Sequence, residues 1–171
     1  MGGLDARYMV THLGMSSRVL SLTTIGTPHR GSTFATWLLE RVEPWAAPLA
    51  RFLGIPYDGA KDLTPEACAA FNARTPDVPE VRYFSVAGIC EGPWLTFKWR
   101  LPSAVVSRVE GPNDGIVSVA SARWGERTDL WEGDHLNLIN CRNPSAERLG
   151  LWTDRRFLYG GLVRRLADLR L

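Results

Sequence analysis

Three short runs of β-branched and apolar residues, separated by stretches with helical spacing, set the limits on what this chain can fold into. Val19-Leu20-Ser21-Leu22-Thr23-Thr24-Ile25 reads as a buried strand, and Val81-Arg82-Tyr83-Phe84-Ser85-Val86-Ala87 as a second. Thr128 to Trp131 is a shorter third. Strands alternating with helices predict an α/β fold: a mostly parallel sheet covered on both faces. Leu95, Phe97, Trp99 and Leu101 alternate with Thr96, Lys98 and Arg100, the pattern of a half-buried strand or hairpin. Few strong strands accompany many helices, so the sheet is expected to be incomplete.

The helical stretches carry their own punctuation. Leu4 to His12 reads as a helix with Leu4 and Tyr8 on one side, ended by Gly14. Gly26-Thr27-Pro28-His29-Arg30-Gly31-Ser32 is a loop by composition. From Phe34 to Leu53 apolar residues recur at helical intervals, and Pro44 and Pro48 break them into short or kinked helices. Thr64 to Asn72 is a further helix, with Thr64 as N-cap and Pro65 at its first position. Gly111 to Gly115 is a turn, Asn143-Pro144 opens a helical stretch, and Asp154 is expected to cap a last helix. That helix carries Leu158, Leu162, Leu166 and Leu169 on one face and mostly arginines elsewhere.

Composition removes several function classes. At 171 residues the chain is one domain or most of one. Apolar residues make up 45 % and charged residues 22 %, which argues against disorder. A net charge of +2 is too balanced for a nucleic-acid partner. No apolar run approaches the roughly 18 residues of a membrane helix. Cys68, Cys90 and Cys141 are odd in number and lack C-x-x-C spacing, so buried free thiols are expected rather than a disulfide framework or a zinc site. The Trp-rich composition fits an aromatic-lined cleft and an ordinary core equally well.

The first residues carry the chemistry. A serine hydrolase of the α/β type presents its nucleophile in G-x-S-x-G, a sharp turn from strand into helix. In that frame Met1 is the residue after the serine and Gly2 is the closing glycine. The serine would stand just before Met1, and the absence of a leader-like segment then says nothing about location. Such chemistry needs an imidazole to take the serine proton and a carboxylate to orient it, in the chain order Ser, acid, His. Asp114, in the Asn113-Asp114-Gly115 turn, and His135, in a loop after the third strand, fit that order. The competing bases are His12, on a helix, and His29, beside Pro28. The competing acids are Asp134, whose neighbour in sequence is the ring itself, and Asp129, inside a strand. Either residue alone reads as an ordinary turn aspartate or loop histidine; the joint pattern carries the reading.

Five blocks in order resemble the triacylglycerol lipases of bacterial and fungal type. They are Met1-Gly2-Gly3-Leu4-Asp5-Ala6-Arg7-Tyr8, Ser21 to Ser32, Tyr83 to Gly88, Asn113 to Val117, and Asp134-His135-Leu136. The most specific is Thr24-Ile25-Gly26-Thr27-Pro28-His29-Arg30-Gly31-Ser32. The resemblance implies an incomplete α/β-hydrolase fold, with residues 1–171 forming the C-terminal part of one domain and lid helices at about 34–72. It implies that Asp114 is the catalytic acid and His135 the base. The backbone N–H of Met1 would be an oxyanion donor, and the serine would lie outside the sequence. It implies a lipid ester substrate or a lipid interface as partner, completed by the missing N-terminal half, with no cofactor and no metal. Related bacterial lipases often hold calcium through His-Leu-Asp; here the position is Asn137, a neutral ligand, and no clear second carboxylate accompanies it. Secreted relatives often carry a cysteine where this chain has Ala120, which leans toward an intracellular home. The expected function is lipase-like ester hydrolysis in the parent, with this chain inactive alone. The alternative is a non-catalytic remnant that binds lipid or a partner.

Overall fold

The computed structural model describes residues 1–41, 58–90, 97–142, 147–148, 150 and 152–169. Three strands, β1 (Ser21–Ile25), β2 (Arg82–Ile89) and β3 (Arg127–Glu132), form one sheet in the order β1-β2-β3. Both pairings are parallel, running from Ser21↔Arg82 to Ile25↔Val86 and from Phe84↔Arg127 to Ile89↔Glu132. The carboxyl ends of all three strands therefore lie at one end of the sheet, where open α/β sheets place their binding crevices. β2 is central, and its burial is continuous from Tyr83 to Gly88, as expected of a parallel strand covered on both faces.

The α-helices whose bounds lie among the described residues are α1 (Gly2–His12), α2 (Thr33–Arg41), α3 (Pro65–Arg74), α4 (Phe97–Val109), α5 (Val119–Ala122), α6 (His135–Leu138) and α7 (Arg156–Asp168). On one face of the sheet Tyr83 packs with Val10 of α1, Val81, Met15 and Trp124. Further along that face Ala87 meets Val117 and Ala122. On the other face Val86, Trp131 and Leu138 form a cluster closed by Leu158 and Tyr159 of α7. The Tyr159 hydroxyl donates to Leu138 O at 2.6 Å, so the last helix is tied to the turn that follows β3.

Local chemistry explains most boundaries. Thr64 caps α3 by accepting from Ala67 N, with Pro65 in the first turn, where its missing N–H costs nothing. Gly14 follows α1 at φ +68°, a conformation that a side chain would strain. The last helix starts later than expected: Arg155 is its N-cap, and Asp154 instead accepts from Arg156 N at 2.9 Å from one position upstream.

The largest correction falls on the fourth helix. The Leu95–Leu101 alternation predicts a strand, yet Phe97–Val109 is α-helical with Pro102 inside it. The period-2 pattern spans only a few residues. Pro102, Ser103 and Val106 recur at the spacing of a helix and are the residues buried among 99–109. Leu95, Pro44, Pro48 and the Asn143-Pro144 helix start lie outside the described residues. The thiol expectation holds for Cys68 and Cys90, which are buried and free, and fails for Cys141, which is exposed. Among the described residues no helix is long and apolar enough to cross a membrane.

Candidate active site

Asp114 sits at the tip of a turn that folds back on itself. Asn113 shapes it: its Oδ1 accepts from Gly115 N at 2.9 Å, and its Nδ2 donates to Ser107 Oγ at 2.8 Å and Gly111 O at 3.0 Å. Asp114 N donates to Val117 O at 3.1 Å. One carboxylate oxygen, Oδ1, accepts from Val117 N at 2.9 Å and Ile116 N at 3.2 Å. The other, Oδ2, lies 2.7 Å from His135 Nδ1. Each oxygen thus has one task, one fixing the loop and the other meeting the ring.

The imidazole is held from its backbone as well. His135 begins the short helix α6 rather than lying in an open loop, and its N–H donates to Asp114 O at 2.7 Å. Asp134 caps that helix, accepting from Leu136 N and Asn137 N, so the rival acid is spent on the turn. Asp129 is paired with Arg127 and Arg165 on β3. The Asp114 side chain is 1 % exposed and the His135 side chain 29 %. The carboxylate accepts from Nδ1–H, which fixes the ring's orientation and leaves Nε2 as the nitrogen that does not face Asp114. Trp99 meets the same ring edge-on, with centroids 6.4 Å apart.

Two glycines make room for this pair. A Cβ on Gly88, near the end of β2, would stand 2.7 Å from Asp114 Cβ and 2.7 Å from Leu138 Cδ1. Gly26, at φ +61° after β1, borders Asp114 Oδ2 and His135 Cε1, each 3.3 Å from where its Cβ would be. The residue after Gly26 meets the first turn of α1: a Cβ on Gly3 would fall 2.2 Å from Thr27 Oγ1. The His135 ring and the start of α1 therefore border consecutive residues, Gly26 and Thr27. Met1 is the N-cap of α1, and its carbonyl accepts from Leu4 N at 2.7 Å.

The other histidines are engaged elsewhere. His12 is exposed and stacks obliquely on Tyr8, with centroids 4.7 Å apart. His29 is fully buried, with Nε2 2.8 Å from Thr24 Oγ1 and the ring stacked on Trp124. Burial first, then the charges of Arg7 and Arg30, push His29 down to about 3, so it is neutral. Arg7, 1 % exposed, lies over the same Trp124 ring at 3.8 Å and donates to Asn72 Oδ1 and Thr75 O. Its pKa is lowered by burial and held up by Asp77, 3.5 Å away. Sequence reading missed this cluster, as it missed Gly26 and Gly88; a glycine at each strand end was the only visible signal. Among the described residues no group of three or more His, Cys, Asp or Glu is placed to hold a metal.

A parallel sheet covered on both faces, with a carboxylate–imidazole pair on the loops at its carboxyl end, is the framework of an α/β hydrolase, here incomplete. The chain is 38 % identical over 149 residues to triacylglycerol lipase 2 of Saccharomyces cerevisiae, covering 84 % of this chain and 44 % of the yeast protein. It superposes on the mature form of the Bacillus licheniformis lipase BlEst2 with a TM-score of 0.66 and 28 % identity, over 89 % of this chain and 62 % of that one. The Staphylococcus hyicus lipase shares the fold at a TM-score of 0.63 and 17 % identity, over 82 % of this chain and 61 % of that one. No protein-family model matches. Sequence and fold together place the chain in the lipase family, as its C-terminal part. It spans less than half the length of the yeast relative and under two thirds of each of these bacterial lipases.

Proposed function

We propose that the protein to which this chain belongs hydrolyses carboxylic esters of lipids, acylglycerols above all, with His135 as general base and Asp114 as the acid that orients it. The 2.7 Å contact between Asp114 Oδ2 and His135 Nδ1, buried on the acid side and open on the base side, carries this reading. The nucleophile is a serine immediately before Met1. His135 Nε2 takes the serine proton as the oxygen attacks the ester carbonyl, and the Met1 backbone N–H helps to hold the oxyanion. Collapse expels the alcohol, which receives that proton, and leaves an acyl-enzyme. Water, deprotonated by the same nitrogen, then releases the fatty acid.

The helices within residues 34–72 serve as a lid over the acyl chain. The stacked rings of Phe34 and Trp37, 5.6 Å between centroids and only partly buried on α2, suit that role.

In this reading the nucleophile lies outside the 171 residues, and the expected outcome is that they turn over no ester by themselves. Purified and assayed on a p-nitrophenyl ester, it gives the rate of its His135→Ala variant. A chain extended upstream to include Gly-x-Ser in frame gains activity that His135→Ala removes. Turnover by the unextended chain that depends on His135 would overturn the assignment of the serine. An in-frame stop codon directly upstream of Met1 would favour a non-catalytic, lipid- or partner-binding role for the same cleft.

A further inference from the structure

A cavity lies away from the dyad, lined by none of the residues that hold Asp114 and His135. It lies between α7 and the amino-terminal halves of β2 and β3, and has a volume of about 190 Å³. Its apolar lining is Phe84, Leu162, Leu166 and Leu169. Three guanidinium groups line it, Arg82, Arg127 and Arg165, against two carboxylates, Glu126 and Asp129.

The pairing among these charges leaves a remainder. Arg82 spends Nε and Nη2 on Glu126, at 2.9 and 2.6 Å. Asp129 is shared: Arg165 meets both its oxygens, and Arg127 meets Oδ1 through Nε at 2.9 Å. Three cations against two anions leave one positive charge in the lining of a mostly apolar slot. Arg127 is the group on which it falls, 61 % exposed and joined to Asp129 through Nε. A planar guanidinium with uncommitted Nη groups is built to receive a carboxylate.

We infer that this cavity binds a single-chain amphiphile with one negative head, a medium-chain fatty-acid carboxylate, with its tail on Phe84, Leu162 and Leu166 and its head on Arg127. The volume falls below the roughly 300–1,000 Å³ of pockets for drug-sized ligands, which favours one short chain over a two-tailed lipid. The site needs neither Asp114 nor His135, so it stands apart from the hydrolase reading.

The test is calorimetric titration of the 171-residue chain with sodium decanoate below its micelle concentration. Decanol and decyltrimethylammonium serve as neutral and cationic controls, and phosphatidylglycerol vesicles as a second source of anionic lipid. Decanoate binds saturably at one site, at least tenfold tighter than either control. Arg127→Gln, at an exposed position that folding tolerates, weakens it about tenfold; Leu166→Trp, which fills the slot, removes it. His135→Ala leaves it unchanged, whatever the esterase assay returns. Equal binding of decanol, indifference to Arg127→Gln, loss with His135→Ala, or binding to vesicles with none to monomeric decanoate would each overturn the proposal.

Discussion

Asp114 and His135 are joined twice: His135 N donates to Asp114 O at 2.7 Å, and Asp114 Oδ2 meets His135 Nδ1 at the same distance. The backbone bond fixes where the imidazole starts and the side-chain bond fixes how it is turned. Neither loop can shift without the other.

That double clamp separates structure from chemistry. Asp114→Asn keeps an oxygen for Val117 N and Ile116 N, and keeps the backbone bond. It places an amide where the ring needs an acceptor, favouring the tautomer with its proton on Nε2. In the serine-bearing extended chain kcat falls by roughly 10⁴ while the fold persists, the scale seen when a triad acid becomes an amide. Esterase kinetics beside far-UV circular dichroism check this; an active Asp114→Asn enzyme would remove Asp114 from the acid role.

Asp114→Ala behaves differently. It leaves Val117 N and Ile116 N without their side-chain acceptor in a turn whose Asn113, Asp114 and Val117 are buried. The expected loss is about 1–3 kcal/mol, read from urea unfolding of the 171-residue chain. A loss no greater than that of Asp114→Asn would show that the turn is held elsewhere.

Gly88→Ala drives a methyl group to 2.7 Å from Asp114 Cβ and Leu138 Cδ1. Leu138 can yield, but Asp114 is held by the turn and the imidazole. Destabilisation of about 1–3 kcal/mol follows, together with a loss of esterase activity in the extended chain larger than the stability loss explains. Unchanged unfolding and unchanged rate would mean that β2 does not approach the dyad this closely.

His29 makes stability depend on pH. Its folded pKa of about 3 lies below its ordinary value of about 6.5, so below 6.5 the unfolded chain takes up the proton first. The stabilisation is complete above 6.5 and is lost as pH falls toward 3, by at most about 1.4 kcal/mol per pH unit. His29→Gln flattens the unfolding free energy over that window while lowering it at neutral pH. Parallel curves for the two chains would show that another group titrates.

Arg7→Lys is not conservative here. The guanidinium carbon lies 3.8 Å from the Trp124 ring centroid, and the group reaches Asn72, Thr75 and Asp77 together. An ammonium can satisfy one or two of these and cannot stack. A loss of about 3 kcal/mol is expected for Arg7→Met, which leaves those acceptors without a donor, and a smaller one for Arg7→Lys. Chemical denaturation orders the three chains.

Local sequence pattern was enough for the three strands, the Thr64–Pro65 helix start, and the pairing of Asp114 with His135. Those features rest on local patterns: short-range periodicity, capping chemistry, and the order of motifs along one chain. Tertiary structure decided that residues 97–109 form a helix, because Pro102, Ser103 and Val106 become a buried face only against what they pack on. It turned His29 from a loop residue into a buried neutral ring by bringing Arg7, Thr24 and Trp124 around it. It gave Gly26 and Gly88 their purpose through atoms contributed by Asp114, His135 and Leu138. Burial and close approach are properties of residues far apart in the chain, so no local window of sequence contains them.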